Sequence, residues 1–417
     1  MTVQVFDYGM NGEGIAKSNG KIILIPQAII GEEVEYKIIE NNNNYSLANL
    51  SKVHNPSTNR TTPSCPYFGL CGGCDLQHMK YDEQLKFKTL LVKKTLKKIA
   101  NISIDVKPTL PSEKVYKYRN KICFDIQNDK IGFYKSNSKE IIEIDKCYLV
   151  DDIFNDILNI FKKYIKKHSG LLKNIIIREI LGQILVGVVA KKPINLTDFY
   201  KELSKQFKNI GLYLIINTRK DSVVISGKIN HIAGIKEICV NSYGLTYFVD
   251  IASFHQTNID IQNKIYEYVL EYIQPDDIVV NGFSGQGLLS AIIAKRAKKV
   301  IGIEIDSHSH KAAENLKRDN KINNLTNIKG DFNYKFSEFK TCDTLILDPS
   351  KKGCGKKVME QVKGVKNIIY ISCNPIALAK DLREIINDYE IEEIQPFDMF
   401  PNTKNVETFV KLTLRKS

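Results

Sequence analysis

The stretch from residue 278 to residue 304 constrains the fold most. Ile278-Val279-Val280 is a short apolar run of the kind that forms a buried strand, and it opens directly into Asn281-Gly282-Phe283-Ser284-Gly285-Gln286-Gly287. Residues 288–297 follow with a helical pattern, and Val300-Ile301-Gly302-Ile303 is a second apolar run that ends in Glu304. Strand, glycine turn, helix and strand make a βαβ unit, whose two strands lie parallel. Glycines in the turn bring backbone close to a ligand. An acid about 20 residues beyond them is placed to accept ribose hydroxyls. The unit therefore points to a nucleoside cofactor held near Glu304, and the glycine pattern leaves NAD open as well.

Two more strand ends carry chemistry. Thr344-Leu345-Ile346-Leu347 stops at Asp348-Pro349. The apolar run of residues 367–371 leads into Ser372-Cys373-Asn374-Pro375, where the proline cannot continue a ladder. Cys373 thus falls at the carboxyl end of a strand, facing the crevice in which α/β sheets bind ligands. Taken alone it reads equally as a small buried hydrophobe.

With 417 residues the chain has room for two or three domains, and its formal net charge of +13 favours a polyanionic partner. A Lys-, Ile- and Asn-rich composition produces part of that charge without any partner. No apolar run reaches the length of about 18 residues that a membrane span needs, and the first residues lack the pattern of a signal peptide. A cytoplasmic location is expected. Three of the nine cysteines crowd into a C-x5-C-x2-C loop, Cys65, Cys71 and Cys74, with Gly69, Gly72 and Gly73 between them. In a reducing compartment such a group reads as a metal site. A fourth ligand is then required, Cys147 or, second, Cys123; zinc and a four-iron cluster both suit four thiolates.

Residues 1–55 read as short strands separated by turn signals, enough for a small β-barrel. From residue 81 to 100 the pattern is an amphipathic helix, with Leu85, Leu91, Leu96 and Ile99 inside and Lys86, Lys88, Lys93, Lys94, Lys97 and Lys98 outside. Residues 106–250 alternate strand-like runs, at 174–177, 183–190, 212–217 and 222–225, with helical stretches. Tyr118-Arg119-Asn120-Lys121 and Gly132-Phe133-Tyr134 mix basic and aromatic residues as a nucleic-acid surface does.

These residues together resemble the RNA uracil-5-methyltransferases, and within them the 23S ribosomal-RNA branch that carries a TRAM domain and an iron–sulfur cluster. The resemblance runs nearly end to end. It rests on Asn11-Gly12-Glu13-Gly14-Ile15-Ala16, the cysteine loop continuing into Asp75-Leu76-Gln77-His78, and Tyr118-Arg119-Asn120-Lys121. It continues through Phe254-His255-Gln256-Thr257-Asn258, Ser372-Cys373-Asn374-Pro375 and residues 398–408, Asp398-Met399-Phe400-Pro401-Asn402-Thr403-Lys404-Asn405-Val406-Glu407-Thr408. The resemblance implies S-adenosylmethionine as methyl donor, with Gln256, Phe283, Glu304, Asp331 and Asp348 at cofactor positions. It also implies Cys373 as nucleophile, Glu407 as general base, and a [4Fe–4S] cluster on Cys65, Cys71, Cys74 and Cys147.

The implied organisation is multidomain: a TRAM-like β-barrel (1–55), an iron–sulfur loop with a basic helix (56–105), a middle α+β domain contributing Cys147 (106–250), and a Rossmann-like α/β class I methyltransferase domain (251–417). A monomer acting on 23S ribosomal RNA is expected. A transfer-RNA T-loop methyltransferase is the alternative within the same chemistry, and a non-catalytic RNA-binding relative the alternative outside it. Three departures from the family pattern predict altered cofactor or substrate contacts. Asn281 stands where an acid is usual, Ser350-Lys351 replaces Pro-Arg after Asp348-Pro349, and Leu288 and Phe254-His255 are unusual near the cofactor.

Overall fold

The computed structural model describes residues 2–136 and 138–415. Its last seven strands form one sheet in the order Leu325–Lys329, Lys299–Glu304, Ile278–Gly282, Thr344–Leu347, Asn367–Ser372, Glu407–Leu414, Tyr389–Phe397. The first five of these run parallel, and the last two are antiparallel to their neighbours. Near-continuous apolar strands, such as Thr344–Leu347, are buried on both faces as a parallel sheet requires. The expected βαβ unit is present, although its regular helix is only Leu288–Ile293, with turns carrying the chain on toward Ala297.

The middle region is a second seven-stranded sheet, with Lys121–Gln127 paired to Leu172–Ile180 and the latter to Gln183–Ala190. Helices Asp152–Ile165 and Thr197–Gln206 cover one face through Phe154, Phe161, Phe199 and Leu203. Ile176, Ile180, Leu185 and Val189 on the other face share a core with the C-terminal sheet. One expected strand is absent. Residues 222–225 form no ladder, because the Asn217 side chain donates to the Val223 and Val224 carbonyls and curls the segment into a turn. The edge strand is instead Lys228–Gly234.

Residues 2–55 build a six-stranded sheet around Val5, Ala16, Ile23, Ile25, Val34 and Tyr36. Thr2–Gln4 pairs with Glu33–Asn41, and Asp7–Tyr8 with Gly14–Ser18. One continuous N-terminal segment thereby joins the two edges of the sheet.

The helix Tyr81–Ala100 forms where expected, and Asn101 in the left-handed region ends it. Its apolar face, Phe87, Leu91, Val92 and Leu96, shares a core with Leu378, Ala379 and Leu382 of helix Pro375–Arg383. Lys88 is a correction. It is fully buried, not solvent-facing, where it pairs with the buried carboxylate of Asp398 and donates to the Phe400 carbonyl at 3.0 Å. Tyr118-Arg119-Asn120-Lys121 is a second correction. Tyr118 and Asn120 are buried in an interior joint, while Arg119 and Lys121 are half-buried and line the cysteine cavity. The Tyr118 hydroxyl donates to the Pro401 carbonyl at 3.1 Å, and Asn120 Nδ2 donates to the Gln256 carbonyl at 2.8 Å. Among the described residues, no helix is long and apolar enough to cross a membrane.

Candidate active site

Six candidate residues arrive at one edge of the C-terminal sheet because of how its strands run. Glu304 is the last residue of Lys299–Glu304, and Phe283, Asp331, Asp348 and Cys373 lie just past the carboxyl ends of four parallel strands. Glu407 reaches the same edge in the opposite sense. It begins Glu407–Leu414, which is antiparallel to Asn367–Ser372 with Ser372 opposite Thr408. One more step along each strand leaves Cys373 beside Glu407. Gln256 comes from outside the sheet, in the segment before helix Ile259–Glu271. Its carbonyl is held by Asn120, and fully buried Arg178 donates to the nearby Ser253 carbonyl.

The glycine turn is shaped by contact and by backbone geometry. A Cβ on Gly282 would come within 2.5 Å of the Phe332 ring, so only glycine fits there. Phe283 has a φ of +61°. Its ring stacks on Phe332 with centroids 5.3 Å apart, and Phe332 stacks on Phe336 at 4.9 Å. Gly285 donates its N–H to Glu304 Oε2 at 2.8 Å, and Asp306 donates to Oε1 at 2.7 Å. Each carboxylate oxygen keeps a lone pair for a further donor, such as a ribose hydroxyl. Asp331 caps the short helix Phe332–Lys335 by accepting from the Asn333 N–H at 2.9 Å, and the Gly330 N–H reaches the Glu304 carbonyl at 2.9 Å. The space around Gly285 is open, and the buried Ser284 Oγ and Gln286 Nε2 have no protein partner. An open turn with spare polar atoms beside the Glu304 carboxylate offers the donors and acceptors that a nucleoside would need. Asn281 donates to Ser290 Oγ at 2.9 Å from beneath the turn, and its own Oδ1 is buried without a partner.

Around Cys373 the electrostatics are unusual. Asn374 caps helix Pro375–Arg383 by accepting from the Ile376 N–H at 3.1 Å, and its Nδ2 donates to the Lys351 carbonyl at 2.8 Å. The Cys373 turn and the Lys351 loop are therefore tied together. Burial pushes the Cys373 thiol up to about 12; the Glu407 charge adds to this, and the Lys351 ammonium opposes it. Burial also raises the Glu407 carboxyl well above the ordinary range, reinforced by Asp348 and opposed by Lys351. Asp348 rises to about 7 through burial. A thiol, two carboxyls and one ammonium thus act on each other in a confined space. Sequence reasoning marked Lys351 only as a departure near the cofactor or substrate and did not place it beside Cys373 and Glu407.

The cysteines form a separate site. Cys65, Cys71, Cys74 and Cys147 line one cavity of about 420 Å³ between the cysteine loop and the middle sheet. All are free thiols. They are close enough that ionised Cys65 and Cys71 raise both Cys74 and Cys147. Cys123 lines the same cavity; burial chiefly pushes its thiol up to about 12, with Asp125 adding to this and Lys121 opposing it. Among the described residues, no group of three or more His, Cys, Asp or Glu converges as the ligands of a single metal ion do. The thiols stand around the cavity.

The family model for tRNA (uracil-5-)-methyltransferases matches residues 80–415. The chain belongs to the tRNA/RNA uracil-5-methyltransferase family. It is 33% identical to an RNA methyltransferase of Clostridium tetani, over 97% of this chain and 94% of that one. It is 32% identical to another from Clostridium acetobutylicum, over 98% and 95%. Its structure is similar to that of Pyrococcus abyssi tRNA (uracil-54, C5)-methyltransferase, solved in complex with S-adenosyl-L-homocysteine, with a TM-score of 0.81, 28% identity and 99% of each chain covered. The chain is a SAM-dependent RNA uracil-5-methyltransferase with a Rossmann-like α/β sheet.

The Asp348 shift has a consequence for stability. Well below a pH of about 4, this carboxyl is neutral in both folded and unfolded chains. As pH rises, the unfolded chain ionises while the folded one resists until about 7, so the fold loses stability over that window. Asp348→Asn removes the loss. Its gain in Tm over wild type is therefore expected to be larger at pH 8 than at pH 5. Equal gains at both would show that the carboxyl is not held neutral.

Proposed function

We propose that this enzyme converts a uridine of 23S ribosomal RNA to 5-methyluridine through a covalent adduct on Cys373, with Glu407 as the base. The observation that carries the reading is the meeting of Cys373 and Glu407 on adjacent strands, beside Asp348 and Lys351, at the edge that also bears Glu304. S-adenosylmethionine, when bound, supplies an electrophilic methyl group. Glu304 would take its ribose hydroxyls, Phe283 and Asp331 would flank its adenine, and Gln256 and Asp348 would face its reactive end.

The protein's own part follows from uracil chemistry. Carbon 5 is too weak a nucleophile to accept a methyl group directly. The Cys373 thiolate adds to carbon 6, and the electron pair moves through the ring to the carbonyl oxygen as an enolate, so that carbon 5 becomes nucleophilic. After methylation Glu407 takes the proton left on carbon 5. That electron pair re-forms the ring double bond and expels the thiolate. A carboxyl raised by burial is a better match for this proton than an ordinary one. The Lys351 ammonium favours the Cys373 thiolate, whose proton passes to solvent before the addition. The base must leave its stack to reach this edge.

Four thiols spread around a cavity suit a cube-shaped four-iron cluster, each iron taking one thiolate, better than a single ion. We assign Cys65, Cys71, Cys74 and Cys147 to it, and the six-stranded N-terminal sheet to a TRAM-like RNA-contacting role. The transfer-RNA reading is favoured by one specific observation. The Pyrococcus abyssi tRNA enzyme matches 99% of the chain, so the N-terminal sheet and cysteine loop do not by themselves separate the two RNA classes. The ribosomal reading rests on the residue pattern within those regions, Asn11-Gly12-Glu13-Gly14-Ile15-Ala16 and the C-x5-C-x2-C loop, which resembles the 23S branch.

Glu407→Gln is expected to accumulate covalently joined to methylated RNA, as a slow band on a denaturing gel that requires S-adenosylmethionine; Cys373→Ala gives no band and no methylation. Wild-type turnover by the Glu407 variant would remove it as the base. With labelled methyl donor, the wild-type enzyme should label 23S transcripts and leave transfer-RNA transcripts unlabelled, and the reverse result selects the second reading. Anaerobically purified protein should contain iron and sulfide in a four-iron ratio. Zinc without iron would contradict the cluster.

A further inference from the structure

Residues 398–405 run directly into Glu407, yet most of their outside bonds go to the cysteine loop and the helix after it. Asn402 is the hub. It is buried, with a φ of +67°, a left-handed conformation that asparagine tolerates better than most side-chain-bearing residues. All its polar groups are engaged. Its N–H donates to Gln84 Oε1 at 2.9 Å, its Oδ1 accepts from Gln84 Nε2 at 3.2 Å, and its Nδ2 donates to the Val115 carbonyl at 2.8 Å. Its carbonyl accepts from the Asp75 and Leu76 N–H groups, each at 3.0 Å. Asp75 is the residue after Cys74. Its carboxylate accepts from the Lys404 N–H at 3.1 Å and faces the Lys404 ammonium at 3.8 Å. Arg119 provides a second tie. It lines the cysteine cavity, and its guanidinium lies 5.9 Å from the Phe400 ring centroid.

We propose that the cysteine loop is a clamp on the catalytic base, with Asp75 as a positioning residue that fixes residues 398–405 and so aims Glu407. The inference rests on the reading of Glu407 as base. In this arrangement the cysteine loop governs the second half of the reaction, removal of the carbon-5 proton. Cofactor binding and addition of Cys373 belong to other strand ends, which the clamp does not touch.

The test uses the full-length wild-type protein and its Asp75→Ala and Asp75→Asn variants, with hydrogen exchange followed by mass spectrometry. Asp75→Ala should raise exchange in peptides spanning residues 399–406 at least tenfold and leave those spanning 278–304 unchanged. S-adenosylhomocysteine should bind within twofold of wild type. On the RNA that the wild type methylates, kcat should fall at least tenfold with KM within threefold, and a covalent adduct requiring S-adenosylmethionine should accumulate. Asp75→Asn keeps an acceptor for the Lys404 N–H and should recover most of kcat. Gln84→Ala, which loosens Asn402 without touching the cysteine loop, should give the same adduct and the same exchange signature. Faster exchange with unchanged kcat overturns the clamp, and so does a loss of kcat with unchanged exchange. If only the base assignment is wrong, Glu407→Gln turns over at the wild-type rate while the Asp75 variants still show faster exchange. That pattern removes the catalytic half of the proposal and is told apart from a failed clamp by the exchange data.

Discussion

The backbone pairing of Asn367–Ser372 with Glu407–Leu414 is the constraint on which the rest depends. A parallel sheet delivers side chains to its carboxyl edge only from strand ends. Glu407 belongs to a strand that runs the other way, so it is the start of that strand, not its end, that arrives there. The register with Ser372 opposite Thr408 sets thiol beside carboxyl through main-chain hydrogen bonds, which hold position better than any contact between flexible side chains. A slip of one residue would turn Glu407 to the other face of the sheet.

That placement comes with an electrostatic cost. Cys373, Glu407 and Asp348 are all driven toward their neutral forms, chiefly by burial, and only the Lys351 ammonium opposes the shift at both Cys373 and Glu407. Further positive charge brought near Lys351 would shift these groups back toward their ionised forms. Lys351 offers a compact charge without a guanidinium's bidentate fork.

The C-terminal sheet was legible because its strands are short apolar runs that stop at glycine, proline or an acid, and those stops mark the site edge. The thiol spacing made the cysteine loop legible in the same way. Lys88 was not, because helical periodicity assigns a lysine outward and cannot see Asp398, 310 residues away, waiting to neutralise it. Residues 222–225 read as strand by composition, but a local side-chain bond from Asn217 competes with the ladder and wins. Tyr118-Arg119 read as an RNA surface because basic and aromatic residues look alike whether they meet phosphate or Phe400. The choice between ribosomal and transfer RNA rests on two local motifs alone, in regions that the tRNA enzyme's structure also matches.

The central claim is that Cys373 bonds to carbon 6 of the uridine before the methyl group moves. RNA carrying 5-fluorouridine at the target tests it directly. Fluorine cannot leave carbon 5 as a cation, so after methylation Glu407 finds no proton to remove and the adduct cannot collapse. Peptide mass analysis after incubation with this RNA and S-adenosylmethionine should find the modified nucleotide on the peptide containing Cys373, and only when the methyl donor is present. An adduct on a different residue, or none from an enzyme that methylates the ordinary RNA, would contradict the account.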